Sequence, residues 1–275
     1  FAAHTGVALL EGYGLTEATC ASCFTRPGRA HAGSVGTRLP YQQVKAVRAE
    51  DDGRWTDLGS GETGTLVISG PTVFAGYLVG HGAAGPVVER GSHVRDGWLD
   101  TGDLGAVDAD GRVHLRGRSK DVIIRGGHNI DPRVVEEALL RHPAVAAATA
   151  VGQPDPRVGE VPVAYVVIAP GASAAPAELL AWSREHVGEQ AAVPKDVRVV
   201  DAVPVTAVGK PFKPALVADA AACAARDLLA AAGIGASVAP LLHEGRPGVD
   251  VTDVADLEAV ARVLSPLPVV VRIRR

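Results

Sequence analysis

The sequence predicts an α+β protein with an antiparallel, β-rich N-terminal part and a C-terminal part in which helices and strands alternate. The chain has 275 residues, of which 47% are hydrophobic and 21% charged, enough to bury the cores of two domains. Residues 43–48, 64–69 and 111–116 are short β-branched segments between Asp/Gly turns, as in antiparallel strands. After Arg118 the apolar periodicity alternates between that of a helix and that of a strand.

The N-terminal part consists of short apolar segments separated by turns. Phe1 to Leu10 are predicted as the end of a helix followed by a buried strand, and up to residue 40 short apolar stretches alternate with glycine turns. The turns Asp51-Asp52-Gly53 and Asp110-Gly111 then separate short strands. This pattern is typical of a small antiparallel β-barrel subdomain.

The C-terminal part begins near Lys120. Asp131-Pro132 supplies a helix N-cap and a proline at the first helical position. One face of that helix collects four apolar residues, Val134, Val135, Ala138 and Leu139. Residues 161–168 and 197–200 are predicted strands and 176–187 a helix, which together form a compact α+β domain.

Residues 216–275 are predicted to form a small β-α-β appendage. An Ala-rich helix over 215–232 ends at Gly233, because glycine readily adopts the left-handed conformation that closes a helix. A strand near 236–242, a helix near 253–264 and a strand over 269–273 follow.

The charge of the chain excludes broad classes of partner. A net charge of −4 gives no general attraction for nucleic acid or an anionic membrane, so any phosphate binding must be local. No apolar run reaches the roughly 20 residues that span a bilayer. The first residues resemble neither a signal peptide nor a transit peptide, and a cytoplasmic location is expected.

Three cysteines do not make a disulfide framework. Cys20 and Cys23 form a C-x-x-C pair, which in other proteins is a redox pair or half of a zinc site. Zinc needs four ligands, and no second pair of this kind follows. We interpret both as small apolar side chains.

Four sequence blocks in order identify a family. They are Gly12-Tyr13-Gly14-Leu15-Thr16-Glu17; Gly97-Trp98-Leu99-Asp100-Thr101-Gly102-Asp103; Gly117-Arg118-Ser119-Lys120-Asp121 with Arg125-Gly126-Gly127-His128-Asn129-Ile130; and Pro204-Val-Thr-Ala-Val-Gly-Lys210. Over residues 1 to about 216 the chain resembles the acyl-CoA synthetases (fatty-acid CoA ligases) of the adenylate-forming superfamily, which also holds luciferases and peptide-synthetase adenylation domains.

The resemblance implies a domain division. Residues 1–118 correspond to the end of the large N-terminal domain, residues 119–215 to the mobile C-terminal lid domain, and residues 216–275 lie beyond the resemblance. The family's Gly/Ser/Thr-rich phosphate loop is absent, and so is methionine. We therefore expect the C-terminal half of a longer enzyme, without synthetase activity by itself.

The resemblance also implies the reaction and its ligands. A small-molecule carboxylic acid attacks the α-phosphate of ATP to give acyl-AMP and pyrophosphate, and the thiol of coenzyme A then displaces AMP. Magnesium, hydroxyl donors and a lysine are the expected equipment, because both transition states gather negative charge. The sequence leaves open which acid is used and whether chains associate as a homo-oligomer.

The first block carries nucleotide and metal roles by resemblance. Gly12 and Gly14 let the backbone approach an adenine, on which the ring of Tyr13 can stack. Thr16 donates to the α-phosphate, and Glu17 holds Mg²⁺. In isolation this string would be an ordinary glycine turn with an exposed glutamate.

The middle blocks carry ribose, hinge and thiol-arm roles. Asp103 matches the aspartate that accepts hydrogen bonds from both ribose hydroxyls, and Arg118 the arginine that contacts ribose and phosphate. Lys120 occupies the hinge on which the lid rotates between the half-reactions. Gly126, Gly127 and His128 match the loop that lines the pantetheine tunnel. His128 stands where many relatives have Glu, either as a neutral substitute or as a group near the thiol.

Lys210 matches the lysine that reaches the α-phosphate and the substrate carboxylate during adenylation. Relatives commonly carry an arginine shortly after it, for which Lys213 is the candidate substitute. Two other functions stay open: an adenylation domain that loads a carrier protein, although Leu15 favours the CoA ligases, and a non-catalytic partner-binding module built on residues 216–275.

Overall fold

The computed structural model describes residues 2–50, 52–83, 85–91, 93–207 and 209–274. Asp51 of a predicted turn and Val208 of the lysine motif therefore lie outside the described residues. The helices are α1 (Ala2–Thr5), α2 (Pro132–Leu140), α3 (Pro176–His186), α4 (Lys213–Ala231) and α5 (Leu257–Leu264). The strands, in chain order, are β1 (Gly12–Tyr13), β2 (Cys23–Phe24), β3 (Thr37–Arg38), β4 (Gln43–Ala49), β5 (Trp55–Asp57), β6 (Gly64–Ser69), β7 (Tyr77–Gly82), β8 (Gly85–Glu89), β9 (Val94–Arg95), β10 (Trp98–Val107), β11 (Val113–Arg118), β12 (Ile123–Arg125), β13 (His128–Ile130), β14 (Val145–Asp155), β15 (Gly159–Ile168), β16 (Asp196–Val199), β17 (Ser237–His243), β18 (Arg246–Thr252) and β19 (Val270–Ile273).

The chain divides into two compact units, Phe1–Lys120 and Asp121–Arg275, which we call the N-terminal unit and the C-terminal unit. The boundary falls at the predicted change of pattern near Lys120. The further division of the C-terminal unit at residue 216 stays a prediction.

The N-terminal unit is built on antiparallel strands, as the sequence predicts. Its main sheet has the order β11-β10-β6-β4-β5, with β9 beside β10. A small sheet of β1, β2 and β3 and the hairpin of β7 and β8 complete it. The core lies on one face of the main sheet, where Leu66, Ile68, Leu99 and Val113 are fully buried.

The start of the chain corrects one prediction. A short helix, α1, is present, but the buried strand predicted after it is wrong. Val7 and Leu9 are 57% and 64% exposed. No strand of the described residues pairs with this segment, so its apolar residues have no sheet on which to pack.

The C-terminal unit begins with a sheet of order β13-β12-β15-β14, and β16 pairs in parallel with β15. Helix α2 starts as predicted, with Asp131 accepting a hydrogen bond from the Arg133 N–H and Pro132 in the first turn. Val135, Ala138 and Leu139 face the core, but Val134 is 39% exposed. A residue adjacent to Val135 is rotated by about 100° around the helix, which takes Val134 off the buried face.

Helix α4 contacts two hydrophobic clusters. Leu216 and Ala220 pack with β14 and β15, whereas Ala221, Ala225 and Leu229 pack with β18 and α5. The helix is therefore apolar around most of its circumference, as expected for a buried helix.

The appendage contains a strand that the sequence analysis missed. β17 and β18 form an antiparallel hairpin, and β19 pairs in parallel with β18 after α5. Pro247 and Gly248 weaken the strand signal of β18. Gly248 is needed there because an added Cβ would lie 2.4 Å from the Val270 carbonyl oxygen.

No helix of the described residues is both long and apolar enough to cross a membrane.

Candidate active site

The carboxylate of Asp103 is the centre of a polar cluster in the N-terminal unit. The Tyr13 hydroxyl donates to Asp103 Oδ2 at 2.6 Å. The Arg118 Nε lies 3.0 Å from Asp103 Oδ1. Asp103 is only 7% exposed, whereas half of the Arg118 side chain faces solvent. Three of the predicted nucleotide-binding residues, from three separate blocks, thus meet at one carboxylate.

The local fold explains how Asp103 and Arg118 come together. They are direct partners in the ladder of β10 and β11. An irregularity between Asp100 and Leu104 turns the strand, and Gly102 there has a φ of +67°. The Gly102 N–H donates to Asp100 Oδ1 and the Ser119 hydroxyl to the Gly102 carbonyl. Asp100 therefore acts as the turn residue.

Tyr13 is held as a hydrogen-bond donor. Its ring belongs to the core cluster with 9% exposure. Burial, and next the bond to Asp103, raises the pKa of the Tyr13 phenol well above its usual range. The proton therefore stays on the phenol. The ring on which an adenine was predicted to stack lies mostly inside the unit.

Gly14 and the following turn place Thr16 and Glu17. An added Cβ at Gly14 would lie 1.9 Å from the Cys20 carbonyl oxygen, so only glycine fits. The chain then forms a single 3-10 turn over Thr16–Ala18, on which Thr16 is exposed and Glu17 half-buried.

Glu17 is an ionised carboxylate. The Tyr77 hydroxyl donates to Glu17 Oε1 at 2.6 Å. That hydrogen bond holds the pKa of Glu17 below its usual range, and the charges of His93 and Arg118 act in the same direction. Tyr77 has no local sequence signal, because its role depends on a contact across 60 residues.

A single carboxylate fits magnesium better than zinc or calcium. The described residues hold no group of three or more His, Cys, Asp or Glu side chains able to share a metal ion. Magnesium is commonly bound through one or two carboxylates, with phosphate oxygens and waters completing its octahedron. Glu17 suits that arrangement.

The two cysteines near this turn differ in environment. Cys20 is exposed and Cys23 fully buried. Burial raises the pKa of the Cys23 thiol to about 12. Cys23 is therefore protonated at neutral pH and serves as a small core side chain, as interpreted from the sequence.

In the C-terminal unit, the Gly126-Gly127 pair is the tip of a two-residue hairpin. Arg125 and His128 are paired across it, and the two glycines have φ values of +56° and +85°. Such a turn needs positive φ at both positions, which explains the Gly-Gly sequence. The His128 side chain is 67% exposed, and its Nδ1 lies 4.0 Å from Glu189 Oε1.

A basic cavity lies at the base of this hairpin. It has a volume of about 500 Å³, and its lining includes four cations: Arg125, Arg157, Arg184 and Lys195. Asp155 is the acidic residue among its lining. Their scattered positions in the chain gave no sequence signal, so only the fold reveals the cavity.

Lys210 lies on a tight exposed loop. The Thr206 N–H donates to the Lys210 carbonyl at 2.8 Å, and the Lys210 N–H to the Thr206 hydroxyl at 3.2 Å. Gly209 has a φ of +77°, as the loop requires. The Lys210 ammonium is exposed.

Lys213 makes structural contacts. Its Nζ lies 3.0 Å from Glu136 Oε1 and 3.2 Å from the Ala150 carbonyl oxygen, and its side chain is 20% exposed. Lys213 therefore ties the start of α4 to α2 and β14, and its correspondence to the family arginine stays a prediction.

Within the N-terminal unit the structure thus brings Tyr13, Asp103 and Arg118 into direct contact, with Glu17 in the electrostatic field of Arg118. Gly126 to His128 and Lys210 belong to the C-terminal unit, and Lys120 is exposed at the boundary.

Comparisons with known proteins identify the family of the chain. The family model for AMP-binding enzymes matches residues 1–78, and that for the AMP-binding enzyme C-terminal domain matches residues 134–210. The marinolic acid–CoA ligase of Pseudoalteromonas sp. (strain SANK 73390) is 42% identical over 233 residues, which are 84% of this chain and 35% of that protein.

Solved structures show the same likeness. ATP-bound MatB from Rhodopseudomonas palustris is 31% identical with a TM-score of 0.70, over 80% of this chain and 42% of that one. O-succinylbenzoate coenzyme A synthetase (MenE) from Bacillus subtilis, in complex with ATP and magnesium ion, is 32% identical with a TM-score of 0.63, over 76% and 41%. The chain thus spans about two fifths of the length of such relatives. The α+β fold class is confirmed.

Proposed function

Because this chain belongs to the family of AMP-binding, adenylate-forming enzymes and corresponds to a C-terminal portion of its members, we propose that the complete protein is an acid–thiol ligase. It activates a carboxylic acid with ATP as an acyl-AMP and transfers the acyl group to coenzyme A. The observation that carries the proposal is the Asp103 carboxylate, buried, and bound to Tyr13 and Arg118.

The N-terminal unit supplies the nucleotide end of the site. A carboxylate has about four lone-pair positions, so Asp103 can keep its bonds to Tyr13 and Arg118 and still accept ribose hydroxyls. Arg118 remains half exposed and can reach a phosphate. Gly12 and Gly14 line the approach of the base, and Thr16 donates to the α-phosphate.

Glu17 is the residue that would hold magnesium. Its ionised state at neutral pH and its position on the Thr16–Ala18 turn suit one-carboxylate coordination beside a nucleotide. When bound, magnesium neutralises charge on the phosphates.

Lys210 is assigned to the α-phosphate and the substrate carboxylate during adenylation. Its exposed ammonium stands on a loop closed by hydrogen bonds at Thr206, so a mobile cation is carried on a defined backbone. An ammonium is a compact charge with three rotatable donors, which suits a phosphate whose charge changes during reaction.

Coenzyme A is assigned to the C-terminal unit. The Gly126-Gly127 hairpin and His128 present backbone without bulky side chains to the pantetheine arm. The basic cavity lined by Arg125, Arg157, Arg184 and Lys195 adds the charge that the phosphates of coenzyme A require. The shared residue Arg125 connects the two features, because it is both in the hairpin and in the cavity lining.

The substrate is a carboxylic acid, and a fatty acid is our leading class. Relatives named as ligases of marinolic acid, sulfoacetate and long-chain fatty acids support a carboxylic acid in general. We place the enzyme in the cytoplasm, where ATP and coenzyme A are available. The 275-residue chain lacks a phosphate loop, and we expect no turnover from it alone.

The test is acid-dependent exchange of labelled pyrophosphate into ATP by the complete enzyme, with a panel of carboxylic acids. Exchange with an acid, followed by thioester formation with coenzyme A, supports the proposal. Transfer only to a phosphopantetheinylated carrier protein would assign an adenylation domain. Absence of exchange with every acid, in an enzyme that is folded, would favour a binding module.

A further inference from the structure

The segment from Thr72 to Tyr77 holds the turn that carries Glu17 at three points. The Thr19 hydroxyl donates to the Thr72 carbonyl at 2.7 Å. The Phe74 N–H donates to the Glu17 carbonyl at 2.8 Å. The Tyr77 hydroxyl donates to Glu17 Oε1 at 2.6 Å. Neither the sequence motifs nor the proposed function uses this segment.

The three bonds act on different parts of the turn. Those from Thr19 and Phe74 fix its backbone and need no phenol. The bond from Tyr77 reaches only the carboxylate, so it sets the direction of the Glu17 side chain. A glutamate has three rotatable bonds and loses rotamer entropy when it is fixed. A partner that fixes the side chain beforehand removes part of that cost from metal binding.

The ring of Tyr77 is itself positioned. It meets Phe74 edge to face, with ring centroids 4.8 Å apart and planes at 79°. The tyrosine stands at the start of β7, which is paired with β8. Tyr77 is 42% exposed, so its hydroxyl lies at the surface of the unit and leaves the Glu17 carboxylate accessible. With about four lone-pair positions on a carboxylate, one hydrogen bond to Oε1 leaves room for a cation.

We propose that Tyr77 is a positioning residue for the magnesium-bound nucleotide, because its hydroxyl holds the Glu17 carboxylate in the orientation that receives the metal. The inference rests on the proposed function, in which Glu17 is the metal ligand. Outer partners of metal-ligating carboxylates commonly act in this way, and their loss weakens metal binding.

The experiment compares Tyr77→Phe with the unchanged complete enzyme. Phenylalanine keeps the ring contact with Phe74 and removes only the hydroxyl. Binding of Mn²⁺ with a non-hydrolysable ATP analogue is measured by electron paramagnetic resonance, and the Mg²⁺ dependence of acyl-AMP formation is measured separately. We expect the metal affinity to fall roughly three- to tenfold, within the ordinary net contribution of one intramolecular hydrogen bond. The KM for the carboxylic acid stays unchanged.

Two further variants make the result decisive. Tyr41→Phe removes a hydroxyl from a tyrosine that is 86% exposed and should leave metal binding unaltered. Glu17→Gln should weaken Mn²⁺ binding more than Tyr77→Phe does. Unchanged Mn²⁺ affinity in Tyr77→Phe, with a loss in Glu17→Gln, overturns the role of Tyr77 alone. No loss in either variant overturns Glu17 as the metal ligand and the role of Tyr77 with it, whereas the proposed function is overturned only by the absence of pyrophosphate exchange.

Discussion

At the scale of single residues, Asp103 shows how burial makes a contact matter. An ionised carboxylate taken out of water is destabilised unless it is paired and hydrogen-bonded. Tyr13 on β1 and Arg118 on the neighbouring strand β11 supply those partners. Removing Tyr13 or Arg118 as a partner should therefore destabilise the turn around Asp103 and weaken the binding of ligand groups to its carboxylate.

Tyr13→Phe should raise the KM for ATP roughly 10- to 100-fold, because a hydrogen bond to a buried charged group contributes roughly 1.5–3 kcal/mol. The measurement is pyrophosphate exchange by the complete enzyme at varied ATP. The KM for the acid should change little. An unaltered KM for ATP would contradict the assignment of the Asp103 cluster to the nucleotide.

Lys210→Ala should slow acyl-AMP formation by about 10²–10³-fold, the usual loss when one strong electrostatic donor is removed. Thioester formation from supplied acyl-AMP should be largely spared. Single-turnover assays of each half-reaction separate the two effects. Arg48→Ala, which removes a surface ion pair with Glu50, is the control. Equal losses in both half-reactions would refute the role given to Lys210.

The structure brings Tyr13, Asp103 and Arg118 into contact, and each comes from a sequence block with its own glycine or turn chemistry. Their roles in nucleotide binding stay predictions. Tyr77 and the cations of the basic cavity were missed for a physical reason. They have no local signal, since tertiary contacts alone bring them to the Thr-Glu turn or to one cavity. The ion pair of Lys213 with Glu136 likewise has no local signal, because the two residues lie far apart in the sequence.

At the scale of elements, the turn between β10 and β11 is closed by one carboxylate. Asp108 accepts hydrogen bonds from the N–H groups of Asp110 and Arg112 and from the ring of His114. The bond from His114, followed by the backbone bonds, lowers the pKa of Asp108 to about 2.

Asp108 should therefore stabilise the fold only while it is ionised. Since its pKa falls from 3.8 to about 2 on folding, its contribution is complete above about pH 4 and is lost as the pH falls through 2. Nuclear magnetic resonance titration of the side-chain carboxyl should give a midpoint near 2. His114→Ala should move that midpoint upward. A midpoint near 3.8 in the unchanged protein would disprove the network.

Helix α4 is fixed to its sheet by a second polar network. The Tyr165 hydroxyl donates to Asp219 Oδ2 at 2.6 Å, and Arg198 Nη1 lies 3.2 Å from the same oxygen. Asp219→Ala leaves the half-buried Arg198 and the buried phenol without this acceptor. We expect a loss of about 1–3 kcal/mol in the free energy of unfolding of the C-terminal unit.

Urea unfolding monitored in the C-terminal unit measures that loss. Asp227→Ala, on an exposed position of the same helix, is the matched control and should change stability by less than about 0.5 kcal/mol. Equal effects of the two substitutions would show that the network contributes nothing specific.

Strong local chemistry made some elements predictable. Asp131-Pro132 fixed the start of α2, and the strand over residues 64–69 matches β6. The hairpin of β7 and β8 was missed, since His81 and several glycines dilute its strand pattern. The residues at 7–10 read as a strand because apolar content alone does not reveal whether a partner strand exists.

At the scale of the molecule, the boundary between the units falls directly after Lys120, the position proposed as a hinge. Lys120 is exposed and lies on a single 3-10 turn, Ser119–Asp121. A short exposed segment of this kind can absorb a change in backbone angles.

Lys120→Pro in the complete enzyme should slow thioester formation by at least tenfold more than it slows acyl-AMP formation, because proline fixes φ and opposes the second conformation. Lys120→Ala removes the same side chain without fixing φ and should behave nearly as the unchanged enzyme. Assays of the separate half-reactions provide the measurement. A similar effect of both substitutions would point to the lysine side chain and not to the hinge.

Helix α4 has a mechanical consequence. Small alanine side chains let the helix contact a β-sheet on each side, with Leu216 and Ala220 facing one sheet and Ala221 and Ala225 facing the other. Because it packs against both sheets, the helix couples the movement of one to that of the other. We therefore expect residues 216–275 to follow any rotation of the C-terminal unit.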